Sequence, residues 1–122
     1  MCIRDRAIRA NLEVLPSDSS TGLLRGVDVV HRDVGRFLAG GPPADVAFDL
    51  VFVDPPYGTP DDEITGLLAV LTAPGWLAPD AIVSVERPHR HPVVAPPGLS
   101  TGWERTFGDT LLTFLFLEAS FP

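Results

Sequence analysis

Apolar and polar positions along this chain follow two different periods, and the places where one gives way to the other mark its elements. Ile8, Leu12 and Leu15 recur at helical spacing with Arg4, Arg6 and Arg9 left for water, which predicts an amphipathic helix over Ile3 to Leu15. Pro16 and the tract Ser17 to Gly22 end it in a polar loop. Val27 to His31 reads as a short strand leading into Arg32-Asp33. Val34 to Ala39 makes one or two helical turns, closed by Gly40-Gly41-Pro42-Pro43. Phe48 to Val53 is apolar apart from Asp49, the run that a strand buried on both faces of a parallel sheet requires, and it is read as the central strand.

Downstream, the acids Asp61, Asp62 and Glu63 suit the positive end of a helix, and Ile64, Leu67, Leu68 and Leu71 give that helix its apolar face. Gly75 to Asp80 reads as a connector and Ala81 to Glu86 as a second buried strand. Pro88 to Gly98 is proline-rich and reads as an irregular surface loop. Trp103 to Phe107 and Leu111 to Leu117 form a closing hairpin with a tight turn at Gly108-Asp109. Strands alternating with helices predict an α/β domain, its sheet mostly parallel, with a C-terminal antiparallel hairpin.

A chain of 122 residues holds one domain, here spanning 1–122. The apolar segment Leu111 to Leu117 falls far short of the ~20 residues that cross a bilayer, so no membrane partner is expected. The first residues carry charges and no apolar core segment, which does not suit a signal peptide. The single cysteine, Cys2, excludes an internal disulfide and a cysteine cluster for zinc. A cytoplasmic location is expected. All nine basic residues are arginine, and the net charge of −7 argues against this chain by itself gripping a phosphate backbone.

Asp54-Pro55-Pro56-Tyr57 carries the candidate chemistry. Proline has no N–H for a ladder, so the strand stops at Asp54, and Pro55 biases Asp54 toward an extended backbone. The outcome is a stiff turn at the carboxyl end of a strand, the place where open α/β sheets bind ligands. It offers a carboxylate, a carbonyl and a flat ring, which suit a planar group bearing an exocyclic NH2. A turn of this composition is also common as plain structure; the apolar strand before it is what points to a site.

This motif closing an apolar strand resembles motif IV of amino-group methyltransferases that use S-adenosyl-L-methionine. The wider pattern resembles the 16S rRNA guanine-N2 methyltransferases of the RsmD family. The matching pieces are Ile8 to Leu12, Arg32-Asp33, Phe48 to Gly58, Gly75 to Pro79, the strand ending in Glu86, and Phe107 to Thr110, in the family's order. The resemblance implies a partial Rossmann-like class I methyltransferase sheet. It also implies a truncated N-terminus: the glycine-rich turn for the cofactor's methionine and the acid for its ribose have no counterpart here. Met1 to Arg6 does not look like family sequence. Two family strands would lie between Val27–His31 and Phe48–Val53. The chain is therefore expected to be the C-terminal portion of a methyltransferase domain, inactive alone and monomeric when intact.

By the same resemblance, Asp54 and the Pro55 carbonyl would accept hydrogen bonds from the guanine amine, with Pro56 stiffening the turn and Tyr57 stacking on a base turned out of its helix. Asp33 would lie near the adenine amino group of the cofactor and Asp54 near its methyl; a helix N-cap is the other reading of Asp33. The implied partner is 16S rRNA or a small-subunit assembly intermediate. Val51, Phe52 and Val53 are read as core. Glu86, His89 and His91 are read as surface groups, Trp76 and Trp103 as packing residues, and Gly108-Asp109-Thr110 as a turn. The same chemistry serves an adenine-N6 methyltransferase, and a non-catalytic α/β fragment that self-associates through open apolar edges is the alternative outside enzymology.

Overall fold

The computed structural model describes residues 29–118. The chain divides into two compact units, Met1–Asp33 and Val34–Pro122, each described by itself. In the first, Val29 to Asp33 form neither helix nor strand, so the expected strand Val27–His31 is absent from its described part. The expected helix Ile3–Leu15 lies outside the described residues.

The second unit runs α1 (Val34–Ala39), β1 (Phe48–Val53), α2 (Asp61–Leu71), β2 (Leu77–Pro88), β3 (Leu99–Phe107) and β4 (Thr110–Leu117). The sheet order is β1-β2-β4-β3. β1 pairs with β2 in parallel, while β2/β4 and β3/β4 are antiparallel, which makes the sheet mixed. The hairpin does not extend the sheet as an appendage: its second strand inserts between β2 and its own partner. β1, read as central, is the edge of the described sheet.

Both hairpin strands pair along almost their whole length, so β3 starts at Leu99 rather than Trp103. Likewise β2 begins at Leu77 and takes in the segment to Asp80 that is expected to be a connector. In β3 the pairing of Leu99, Ser100 and Thr101 with Leu117, Phe116 and Leu115 gives those backbone groups partners, while in β2 Leu77 pairs with Phe48 across an irregularity before the regular register resumes at Ile82. Gly108 takes a φ of 59°, which a two-residue hairpin turn wants at its first position.

Alternation along the strands builds the core. On β2, Ala81, Val83, Val85 and Arg87 are all buried; on β4, Leu111, Thr113 and Leu115 are. The register sets Val83 opposite Leu115, Val85 opposite Thr113 and Arg87 opposite Leu111, so they share one face. Ile64, Leu68 and Leu71 of α2 belong to the same core cluster, with Leu38 of α1, Trp76 and Leu99. Fully burying each of these large aliphatic side chains contributes about 1.5–3 kcal/mol. α2 opens without a side-chain cap, on Pro60 in an extended conformation, and its first-turn acids meet the helix's positive end.

The opposite sheet face explains a failed expectation. Leu50 and Phe52 are 51% and 75% exposed, so Phe52 is not core among the described residues. An unbroken apolar run says that both faces of a strand want cover; here only the Val51/Val53 face meets the core cluster. Trp103 is a packing residue as expected, its ring 4.7 Å from that of Phe114 although 40% exposed, and Trp76 is buried beneath Phe37 and Phe48. No described helix is long and apolar enough to cross a membrane.

Candidate functional site

The parallel pair β1/β2 ends with Val53 opposite Val85. One step further, the chain presents Asp54 from β1 and Glu86 from β2 at the same end of the sheet, the carboxyl end where α/β proteins place ligands. β4 begins there too, because Thr110 pairs with Pro88. Three segments therefore converge: the turn Asp54 to Tyr57, the end of β2 with its following loop, and the hairpin tip.

The turn keeps its acceptors available. Asp54 is exposed, and its carboxylate has no hydrogen bond or ion pair among the described residues. The Pro56 carbonyl accepts the Thr59 N–H at 3.0 Å, while the Pro55 carbonyl accepts none among the described residues. Tyr57 stands 67% exposed, its hydroxyl 3.4 Å from Thr110 Oγ1, a long contact that leaves the ring face open. Thus Thr110, read only as part of a turn, is drawn beside Tyr57.

Below the turn lies a residue that the sequence reading passed over. Arg87 is 2% exposed; its Nη2 donates to the Thr59 carbonyl at 3.1 Å and to Asp61 Oδ1 at 2.7 Å. Asp61 Oδ2 in turn lies 3.5 Å from His91 Nδ1. The hydrogen bond from Arg87 holds the Asp61 carboxyl below its ordinary value of 3.8, with the nearby His91 adding to the effect; partial desolvation opposes both. Arg87 therefore ties the loop that follows Tyr57, and the first residue of α2, to the end of β2. Strand parity could have found it: the apolar residues Ala81, Val83 and Val85 alternate onto the face that packs on the core, and position 87 continues that alternation. A charge placed there must find an acid, and the helix start supplies Asp61.

The remaining expected residues fall as follows. Glu86 is exposed, on the other side of β2 from Arg87, and His89 and His91 are exposed as read. Asp33 is exposed and directly precedes α1, the position of an N-cap; it belongs to the first unit, so the structure does not join it with Asp54. An open cleft of about 360 Å³ runs beside Tyr57, lined also by Pro88, His89, Arg90, His91 and Asp109.

A family model described as conserved hypothetical protein 95 matches residues 5–116. The chain belongs to that family. It is the RsmD-like family, so the resemblance read from the motifs holds at that level. Solved structures are similar over most of the chain. A candidate methylase from Haemophilus influenzae shares 24% identity at a TM-score of 0.70, over 93% of this chain and 66% of its own. A conserved hypothetical protein from Streptococcus pyogenes shares 21% at 0.72, over 91% and 63%. A candidate methyltransferase from Escherichia coli shares 26% at 0.67, over 95% and 59%. This chain thus spans roughly three fifths to two thirds of the length of each. A comparison with curated proteins gave no match. The family is methyltransferase-like, and the α/β fold with its mixed sheet is that of these structures.

Methyltransferases of this kind imply S-adenosyl-L-methionine, and the described residues do not by themselves fit it. Among them no strand is followed by a glycine-rich turn. The paired glycines Gly40-Gly41 follow α1, and a Cβ added at Gly41 would meet nothing within 4 Å, so they do not form a close cradle.

Proposed function

We propose that this chain carries the amine-binding part of an S-adenosyl-L-methionine-dependent methyltransferase whose substrate is the exocyclic N2 amine of a guanine in 16S rRNA. The observation that carries the reading is the pair of free acceptors, Asp54 and the Pro55 carbonyl, at the carboxyl end of β1 beside an exposed aromatic ring. An exocyclic amine is a poor nucleophile while its lone pair is conjugated with the base. Two acceptors on its two hydrogens draw it out of that conjugation and fix its direction, and positioning of this kind is a large part of a transfer reaction's barrier. Tyr57 holds the base by its face, as enzymes that work on a base taken out of its stack require. Arg87 keeps the distal end of the turn in register. The bound cofactor supplies the methyl group; its cradle would come from sequence equivalent to the part of the relatives that this chain does not span.

The test compares the chain alone with the same chain joined to the N-terminal third of a relative. Each is titrated with S-adenosylhomocysteine and assayed for methyl transfer to unmodified 16S rRNA, with the product nucleoside identified. Cofactor binding and N2-methylguanosine from the joined form, both lost in the chain alone, support the reading. Failure of the joined form to bind the cofactor sinks it, and methylation at adenine N6 instead overturns the substrate. In the joined form, Asp54→Asn should cut transfer at least a hundredfold while leaving cofactor binding within a few-fold.

A further inference from the structure

The chain is strongly acidic, yet its basic groups are unevenly placed. From Arg87 to Trp103 the sequence holds two arginines and two histidines and no acid, against a net charge of −7 for the whole. The fold brings the start of that stretch to the wall of the cleft that Tyr57 also lines. The arginines of the described second unit are not equivalent. Arg87 is buried and engaged with Thr59 and Asp61, Arg105 lies over the Phe107 ring at 5.3 Å, and Arg36 has an interaction of its own. Arg90 is exposed and has no carboxylate partner among the described residues.

The segment that carries Arg90 is also held in place. The His89 N–H donates to the Asp109 carbonyl at 2.8 Å, the His91 N–H donates to the Pro88 carbonyl at 2.9 Å, and the His91 ring leans on Asp61. A pre-ordered cation loses less freedom on binding than one on a mobile loop. A guanidinium without a partner, beside an exposed ring, matches the pairing found where proteins hold unpaired nucleic acid: a cation for the backbone and an aromatic face for the base.

We propose that residues 88–91, with Arg90 as the phosphate contact, form a binding surface for single-stranded RNA next to Tyr57, with the phosphate of the strand on the Arg90 side and the base against the Tyr57 ring. This deepens the reading given above and rests on it for the choice of RNA. Asp109 in the wall of the cleft and the exposed Asp54, three residues before Tyr57 in the chain, repel phosphate and accept from base amines. They therefore fix the polarity of the strand: backbone toward Arg90, base edges toward the acids. Asp61 does not compete with the phosphate for Arg90, since its two carboxylate oxygens already face Arg87 and His91.

The experiment is fluorescence anisotropy of a labelled unpaired RNA decamer with the chain as it stands, over a range of salt. The same strand annealed to its complement and inorganic polyphosphate as competitor form the other arms. The unpaired strand should bind several-fold more tightly than the duplex, whose bases offer no free face. Arg90→Gln should weaken binding and lower the log–log salt slope by about 0.7, the value for one phosphate contact on a single strand. Tyr57→Ala should weaken the unpaired strand about tenfold and leave the duplex unchanged. A salt slope that is the same in the Arg90→Gln variant and the wild type overturns the proposal, as does polyphosphate displacing RNA at equal charge concentration. Arg90→Glu, judged folded by an unchanged urea midpoint, repeats the test with the charge reversed. No methyl donor is present, so loss of RNA binding leaves the transfer reading standing, and failure of transfer leaves this result standing.

Discussion

Replacing Arg87 with methionine separates what this arginine does for stability from what it does for geometry. Its side chain is 3% exposed and donates to the Thr59 carbonyl at 3.1 Å, and a hydrogen bond from an ionised donor contributes about 1.5–3 kcal/mol net. The bond to Asp61 ends on a carboxylate that is half in water, so solvent replaces it readily and it adds little. Against these stands Nη1, buried without a hydrogen-bond partner, which costs about 1–3 kcal/mol in lost hydration. The gain and the cost are of similar size and opposite sign. Methionine keeps the long apolar stem and adapts its shape to the space left. The expected result is that Arg87→Met lies within about 1 kcal/mol of wild type, the balance of those two terms. Arg87→Ala loses the stem as well and falls a further ~2 kcal/mol or more, because it leaves a cavity. Urea unfolding followed by the fluorescence of Trp76, which is 2% exposed, measures both. Hydrogen exchange across 54–61 reads the positional role: those amides should exchange faster in Arg87→Met although global stability is unchanged. A methionine variant that loses more than about 3 kcal/mol would refute the reasoning, since the ion pair would then be a net source of stability. Unchanged exchange across 54–61 would refute the positional role.

Three further outcomes follow from the same structure. Leu115 is fully buried in the middle of the sheet, so Leu115→Ala should cost about 2–5 kcal/mol in urea unfolding. A Cβ on Gly102 would collide with the Phe116 ring, so Gly102→Ala should cost about 1–3 kcal/mol, and adding Phe116→Ala should recover part of the loss. The depressed Asp61 carboxyl stabilises the fold in full above its ordinary value of 3.8, and that contribution is lost as pH falls below it through the lower folded value. The urea midpoint of wild type should therefore drop more steeply below pH 3.8 than that of Asp61→Asn, and parallel curves would contradict this.

What the sequence determined alone was whatever depends on near neighbours. Val34 to Ala39 is a helix, Phe48 to Val53 a strand, Asp61 opens a helix and Gly108 turns a hairpin, each within a residue of its expected bound. Local backbone chemistry suffices for these: proline stops a strand, acids suit a helix start, glycine accepts a positive φ. The Asp-Pro-Pro-Tyr turn was legible for the same reason, because its stiffness is built into four consecutive residues. What the tertiary structure decided was which distant segments meet. The insertion of β4 between β2 and β3 brings Thr110 beside Tyr57, 53 residues away, and no local period encodes that. Which faces find cover is decided at the same level: the core lies against the Val51/Val53 face of β1 only, so an apolar run read as doubly buried leaves Phe52 exposed among the described residues. Arg87 lies between the two cases: parity set its face, but only the packing of α2 over that face made it buried and gave it Asp61. Pairing in a sheet is a contact between segments remote in the chain, and its register is chosen by the burial of whole faces rather than by any one stretch of residues.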